Sequence, residues 1–215
     1  MKNRIQVAID SPAAAGAGTQ AKLIAKHYKL FHLDTGKIYR FIGRLKINHK
    51  NKFNYLFIKK EIKKLKIHKL YDKNLLSNKV AMEASLIAKD PKIRKIVHNF
   101  QIKCAYHSPK KFNGSILDGR DITSVIMKDA TFKFFITAEV RTRALRRFKE
   151  LKLLKRKISY NDVLKSIKKR DKSDYNRKYS PLKKTKDSIL INTTNLTKRS
   201  CFLKIKNIMD KKIKI

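Results

Sequence analysis

The sequence predicts an α/β fold, a five-stranded parallel sheet flanked by helices. Three observations predict it. Short apolar runs of strand length alternate with longer segments of helical period. The first run breaks into a turn built mostly of small residues and then into a helix. Hydrophobic residues make up 42% of the 215 residues, a globular share sufficient for one domain with a real core.

Arg4–Ile9 (RIQVAI) is a short apolar run stopped by Asp-Ser-Pro, so it reads as a buried strand. Asp10–Gly18 forms the small-residue turn. Thr19–Tyr28 places Ala21, Leu23, Ile24, Ala25 and Tyr28 at helical spacing. Leu30–Leu33 is a second strand, and Gly36–Ile47 and Phe53–Leu65 are helices. Asp90-Pro91 is a helix start, with Asp at the cap and Pro in the first turn. Ser115–Leu117 is a strand running into Asp118-Gly119-Arg120-Asp121, and Lys133–Thr137 is the next strand. Glu139–Lys152 is a basic helix. Ser159 and Asp162 form a capping box that opens a helix to about Lys172. Ser188–Asn192 is the fifth strand, and Thr197–Ile213 the closing helix.

Two distant cysteines, Cys104 and Cys201, read as inert buried thiols of a reducing compartment. The apolar start is interrupted at Asp10, too early for a secretory signal. No apolar run approaches the roughly 20 residues that span a bilayer, so a cytoplasmic protein with no membrane partner is expected. Lys and Arg total 55 against 16 Asp and Glu, a net charge of +39. Such a charge favours polyanionic partners, nucleic acid included. A plainer reading competes: lysine fills exposed helix faces in a chain also rich in isoleucine and asparagine, as an AT-rich coding sequence gives. Aromatic residues are not interleaved with the basic runs in the pattern that stacks on single-stranded bases, so no specific nucleic acid is expected.

Strand, small-residue turn and helix start together make a phosphate-binding context, because backbone N–H groups and the helix terminus converge on one point. The candidate nucleotide-binding residues are Ser11, Pro12, Ala13, Ala14, Ala15, Gly16, Ala17, Gly18 and Thr19. Thr19 stands where a Mg²⁺-binding hydroxyl belongs. The pattern G-x-x-x-x-G-K-[ST] is not met: Ser11 replaces the first glycine and Ala17 the lysine. Taken alone, the segment fits an alanine-rich strand–helix connection equally well.

Further motifs follow in order. They are Asp34-Thr35-Gly36-Lys37-Ile38-Tyr39-Arg40, Ala84-Ser85 with Arg94, Asp118-Gly119-Arg120-Asp121, Arg143 to Arg147, and Arg170-Asp171-Lys172-Ser173-Asp174-Tyr175-Asn176-Arg177. Over residues 4–210 this set resembles bacterial cytidylate kinase, a family of P-loop nucleoside monophosphate kinases. The resemblance implies a P-loop NTPase-type sheet with a helical monophosphate-binding lobe and a lid. The core would comprise residues 1–40, 112–140 and 185–215, the lobe about 41–111 and the lid about 141–184. It implies ATP, CMP and dCMP as substrates, Mg²⁺ as cofactor, and a monomer. By the same resemblance Thr35, Arg40, Ser85, Arg94, Asp121 and Asp174 hold the monophosphate. Arg120, Arg170 and Arg177 reach its phosphate and the transferring group. Arg143 and Arg147 close on the donor phosphates, Asp118 acts at the reacting centre, and Asp34 reaches Mg²⁺ through water beside Thr19. Arginine suits these places because its fork binds phosphate in two bonds and stays protonated.

Two departures stand out. The segment from Arg44 to Val80 is shorter than the family's monophosphate lobe and reads as helical, without a small sheet. Ala17 removes a cation, and losing one such preorganised stabiliser costs roughly 3–4 kcal/mol. Lys22, Lys37, Arg143 and Arg147 are candidate substitutes; a slow kinase or a silent CMP-binding protein are the alternatives. His27, His32, His49, His68, His98 and His107 lack metal-ligand spacing and are assigned no chemistry.

Overall fold

The structure, a computed structural model, describes residues 4–213, the side chain of Asn78 apart. Residues 1–3 and 214–215, assigned above to the core, lie outside the described residues. Strands β1 (Ile5–Asp10), β2 (Phe31–Asp34), β3 (Gly114–Gly119), β4 (Phe132–Thr137) and β5 (Ile189–Asn192) form one sheet in the order β2-β3-β1-β4-β5. Every neighbouring pair is parallel. The chain leaves β1 toward β2 and β3 on one side, then crosses to β4 and β5 on the other. That reversal opens a crevice at the carboxyl end of β1, where ligands bind in open α/β sheets.

The two faces of the sheet bury different clusters, as strand alternation requires. Val7, Ile9, Ile116, Phe134 and Ile136 pack under α1 (Ala17–His27) and α8 (Lys198–Ile213). Ala8, Leu33 and Leu117 face a second cluster that includes Ile38, Ile42, Ile58, Ile62 and Val97. Those last residues come from the insertion between β2 and β3: α2 (Gly36–Asn48), α3 (Tyr55–Lys63), α4 (Asn78–Ile87) and α5 (Pro91–Tyr106). Helix α2 packs on α4, and α3 on α5. Among the described residues 41–111 there is no strand, as the sequence led one to expect. Asp90 caps α5 as predicted, its carboxylate accepting from Lys92 N at 2.8 Å and Ile93 N at 3.2 Å. Helix α4 was not anticipated; it starts where Ser77 Oγ accepts from Val80 N at 3.3 Å.

Between β4 and β5 stand α6 (Val140–Leu153) and α7 (Tyr160–Asn176), joined by Ala144, Leu151, Val163 and Ile167. Ser159 Oγ accepts from Asp162 N at 3.1 Å, the predicted N-cap, and donates to Asp162 Oδ2 at 2.6 Å, where a full capping box would have the carboxylate accept from the Ser159 backbone N–H. Helix α7 runs one turn beyond the expected Lys172, because Asp171 and Asp174 are buried and bonded to other elements. No helix among the described residues is long and apolar enough to cross a membrane.

Asp10 ends β1 fully buried. It accepts from Ile122 N at 2.7 Å, Thr123 N at 2.8 Å and Thr123 Oγ1 at 2.6 Å, so it anchors the π-helical turn Ile122–Ile126 beside the crevice. Burial pushes its carboxyl up to about 6, against a lowering by those donors. Because the folded value lies above the unfolded one, the native state keeps a proton that the unfolded chain releases. The resulting stabilisation is full below about pH 4 and is lost as pH rises through about 6. Urea unfolding across pH 4–7 is expected to show this falling component, and Asp10→Asn should abolish it. The same variant should lower stability at pH 7 by about 1–3 kcal/mol, since a buried amide N–H loses its acceptor.

Candidate active site

One cleft of about 910 Å³ opens at the carboxyl edge of the sheet, a size that suits a small-molecule site. Its floor is the turn after β1. Gly16 adopts φ +92°, and its carbonyl accepts from Thr19 N and Gln20 N, each at 3.1 Å, which starts α1. Ala14 also lies in the left-handed region, at φ +59°, where a Cβ is strained. Ala17 is buried, its methyl group within the cluster that contains Ala21 and Ile24. Thr19 is exposed to the cleft.

The turn is gripped from α6, α7 and the segment after β5. Arg143 Nη1 donates to Ala13 O at 2.9 Å and to Asp171 Oδ2 at 2.6 Å, while its Nε donates to Ala138 O at 2.8 Å. Asp171 Oδ1 accepts from Ala13 N at 3.2 Å. Thr193, after β5, donates to Ala15 O at 3.2 Å and is itself held by Arg146 at 2.9 Å.

On the opposite wall Asp174 gathers three arginines. Its Oδ2 accepts from Arg120 Nε at 2.8 Å and lies 3.9 Å from Arg170 Nε; its Oδ1 lies 3.9 Å from Arg177 Nη1. Desolvation, with Arg120 and Arg40 nearby, lowers Arg170 to about 10, so it stays protonated at neutral pH. Arg40 donates to Leu75 O at 2.9 Å and is lowered by burial. Arg94 pairs with Asp121 and donates to Ala88 O at 3.0 Å. Tyr39 Oη, Arg94 Nε and Arg177 Nη2 are buried polar atoms without a partner among the described residues, and all three residues line the cleft. Burial raises the Tyr39 hydroxyl to about 12. Unpaired buried donors of this kind are costly unless a ligand meets them.

The third wall is acidic. Asp34 and Asp118 end adjacent strands in register. Burial raises the Asp34 carboxyl, and the Asp118 charge raises it further. His32 Nε2 stands 2.7 Å from Asp118 Oδ1. Asp118 Oδ2 lies 3.5 Å from where a Cβ on Gly18 would stand, an ordinary contact distance, so this carboxylate sits directly against the loop.

The cleft therefore assembles Ser11, Pro12, Ala14 to Thr19, Asp34 and Asp118 on the loop side. Facing them are Thr35, Arg40, Ser85, Arg94, Arg120 and Asp121, with Arg147, Arg170, Asp174 and Arg177 completing the wall. Ala13 and Arg143 are not part of the lining. Arg143, expected to close on donor phosphates, is instead a buried strap, its side chain 7% exposed and its donors committed to Ala13, Ala138 and Asp171. Lys37, a candidate substitute cation, sits over the Tyr71 ring at 4.2 Å rather than in the cleft. Sequence reasoning missed Tyr39, Arg146, Thr193 and His32. Tyr39 stood inside the D-T-G-x-x-Y-R motif and Arg146 inside the Arg143 to Arg147 motif; Thr193 and His32 gave no signal, because their partners are distant in the chain.

A small-residue turn at a helix start, sharing with a cluster of arginines one cleft at the carboxyl edge of a parallel sheet, points to a class: phosphotransferases of the P-loop nucleoside monophosphate kinase type. Comparison with known proteins makes the assignment particular. The model of the family described as cytidylate kinase matches residues 7–211. A cytidylate kinase of Bartonella tribocorum is 38% identical over 97% of this chain and 96% of its own length. Those of Clostridium botulinum and Clostridium tetani are 37% and 40% identical, covering 96% and 89% of this chain and 98% and 88% of their own. The chain belongs to the cytidylate kinase family. An uncharacterized protein from Eubacterium ventriosum, known from a crystal structure, superposes with a TM-score of 0.57 at 18% identity, covering 96% of this chain and 99% of that one. At that identity the likeness concerns the fold.

The strain at Ala14 has a measurable consequence. Ala14→Gly should stabilise the protein by about 0.5–1 kcal/mol, the relief of a left-handed Cβ less the entropy that glycine costs. Thermal unfolding should move up by roughly 2–4 °C. A fall in stability would show that the methyl group's packing outweighs the strain.

Proposed function

We propose that the chain transfers the γ-phosphoryl group of ATP to CMP or dCMP, giving ADP and CDP or dCDP. The observation that carries this reading is the Asp174 hub, which holds Arg120, Arg170 and Arg177 opposite the phosphate loop in one cleft. Phosphoryl transfer asks little covalent work of a protein; positioning and neutralising spread charge are enough. The Gly16–Thr19 turn and the start of α1 bind the donor phosphates, and Arg147 on α6 closes on them. Arg40, Arg120, Arg170 and Arg177 hold the acceptor phosphate in line and take up charge as it develops. Ser85, Arg94 and Asp121 read the base and sugar, and the unpaired Tyr39, Arg94 and Arg177 atoms are the kind a bound nucleotide would satisfy. Residues 41–111 would act as the acceptor lobe and 141–184 as the lid, in a monomer.

Mg²⁺ fits the third wall. The exposed Thr19 hydroxyl and the crowded Asp34–Asp118 pair are hard oxygen donors that favour such a cation. Among the described residues no group of three or more His, Cys, Asp or Glu forms a metal cage, which suits an ion that arrives with its nucleotide. Thr19 would hold it directly and the two carboxylates through water; bound there, it would neutralise the donor phosphates.

Of the four cations considered for the missing lysine, Lys22 and Arg147 line the cleft. Lys22 lies one helical turn after Gly18, on the same face of α1, and helix side chains lean toward the N-terminus. We read the role as filled from that side.

A coupled assay with ATP and Mg²⁺ against CMP, dCMP and UMP tests the proposal, with turnover of CMP and dCMP expected. Absence of turnover with all three would sink it. Ala17→Lys should then raise kcat by less than about tenfold. A gain of about 10²–10³ would instead show that the lysine's place is vacant.

A further inference from the structure

His32 was assigned no chemistry on spacing, yet its ring lies in the cleft. The sheet register explains how. Asp34 on β2 pairs with Asp118 on β3, and His32 stands two residues before Asp34, on the same face of the sheet. That face carries α1, whose start is the phosphate loop. The His32 and Asp118 side chains are each 11% exposed, and the contact between them is 2.7 Å. A carboxylate oxygen accepts, so the ring nitrogen facing it carries the proton.

The two oxygens of Asp118 are thereby made unequal. Oδ1 is held by His32. Oδ2 accepts no hydrogen bond among the described residues and lies over Gly18, 3.5 Å from where a Cβ would stand. Without a fixed donor on Oδ1 the carboxylate is free to rotate about its terminal torsion, which is broad. With the donor in place, one oxygen faces the mouth of the loop beside Thr19.

We propose that His32 is a positioning residue: by holding Oδ1 of Asp118 it presents Oδ2 to the Mg²⁺–nucleotide at Gly18–Thr19. This rests on the reading of the cleft as an ATP site. It deepens that reading by naming the group that orients the metal's carboxylate. Outer groups that orient carboxylates around a metal commonly contribute about 10–100-fold to metal affinity or activity. In a loop lacking its lysine, the ordering of charge around the transferring group depends more heavily on them.

The test compares His32→Gln, which keeps an N–H donor, with His32→Met, of similar shape and no donor. His32→Phe serves as a second donorless variant should His32→Met fold poorly. The ATP Kd is measured by calorimetry in EDTA and in excess Mg²⁺, and the ratio of the two is the readout. The ratio is expected to fall about tenfold in the donorless variants and to stay within about twofold of wild type in His32→Gln. In turnover, kcat should fall with the ratio while KM for CMP stays within about twofold, since the His32 ring bonds Asp118 and, among the described residues, no group assigned to the acceptor. Donorless variants that keep the wild-type ratio would overturn the role of His32 and leave the ATP site standing. So would a His32→Gln variant as impaired as His32→Met. A wild-type protein whose ATP affinity ignores Mg²⁺ would overturn the reading of the cleft, and this inference with it.

Discussion

The geometry of this site depends on a buried guanidinium that lies outside the lining of the cleft. Arg143 joins three parts of the chain: the phosphate loop at Ala13, the end of β4 at Ala138, and α7 at Asp171. Asp171 closes the circuit by accepting the Ala13 N–H. The loop is thus fixed at both the amide and the carbonyl of one residue. A buried ion pair of this kind contributes little net stability against an apolar replacement, but losing one partner is costly. Its effect here is geometric: it ties α6 and α7 to the loop, and α7 lines the cleft at Arg170 and Asp174.

The Asp174 hub continues this arrangement. Arg40, Arg120, Arg170 and Arg177 all line the cleft; desolvation lowers Arg40, Arg170 and Arg177, and the charges of Arg120 and Arg40 lower Arg170 further. One carboxylate among Arg120, Arg170 and Arg177 holds them in place while leaving N–H groups free for phosphate. Asp10 serves the neighbouring segment in the same way, ordering the turn at Ile122 and Thr123 that follows Asp121. In both places a buried carboxylate sets the position of the groups around it.

Much of this was legible in the sequence, for physical reasons. The sheet and most helices announce themselves by period, and Asp90-Pro91 and Ser159-Asp162 by capping chemistry, because those signals are local. The arginines of D-G-R-D and R-D-x-x-D-x-N-R stood out because their motifs are contiguous in sequence; Arg120 follows β3 and Arg177 caps α7, while Arg170 lies within α7. Helix α4 was not, since two of its faces defeat the pattern. Small residues Ala81, Ala84 and Ser85 line the cleft, while Met82 and Leu86 are 71% and 57% exposed, so the apolar stripe is blurred. Arg143 misled because a lid arginine and a buried strap look alike in one dimension; its partner Asp171 is 28 residues away. His32 and Asp118 are 86 residues apart, and only the β2–β3 register brings them together.

Ala17 then takes on a different meaning. Its methyl group packs in the core under α1, so the position is occupied structurally even though no cation leaves it. The loop keeps what backbone supplies: amides converging at the start of a helix, and that helix's partial charge. Around it, ten cationic side chains line the cleft against five anionic ones. A field of that sign attracts a triphosphate and a monophosphate before any particular contact is made. What a loop lysine adds beyond such a field is placement, a charge that follows the transferring group. Placement is also what the fixed carboxylates give to the arginines and, through Asp118, to the metal side of the cleft. A site ordered from its carboxylates can lose one cation and keep its geometry. It could not lose Asp174 or Asp171 in the same way, because Asp174 gathers three arginines and Asp171 holds both Arg143 and the Ala13 amide.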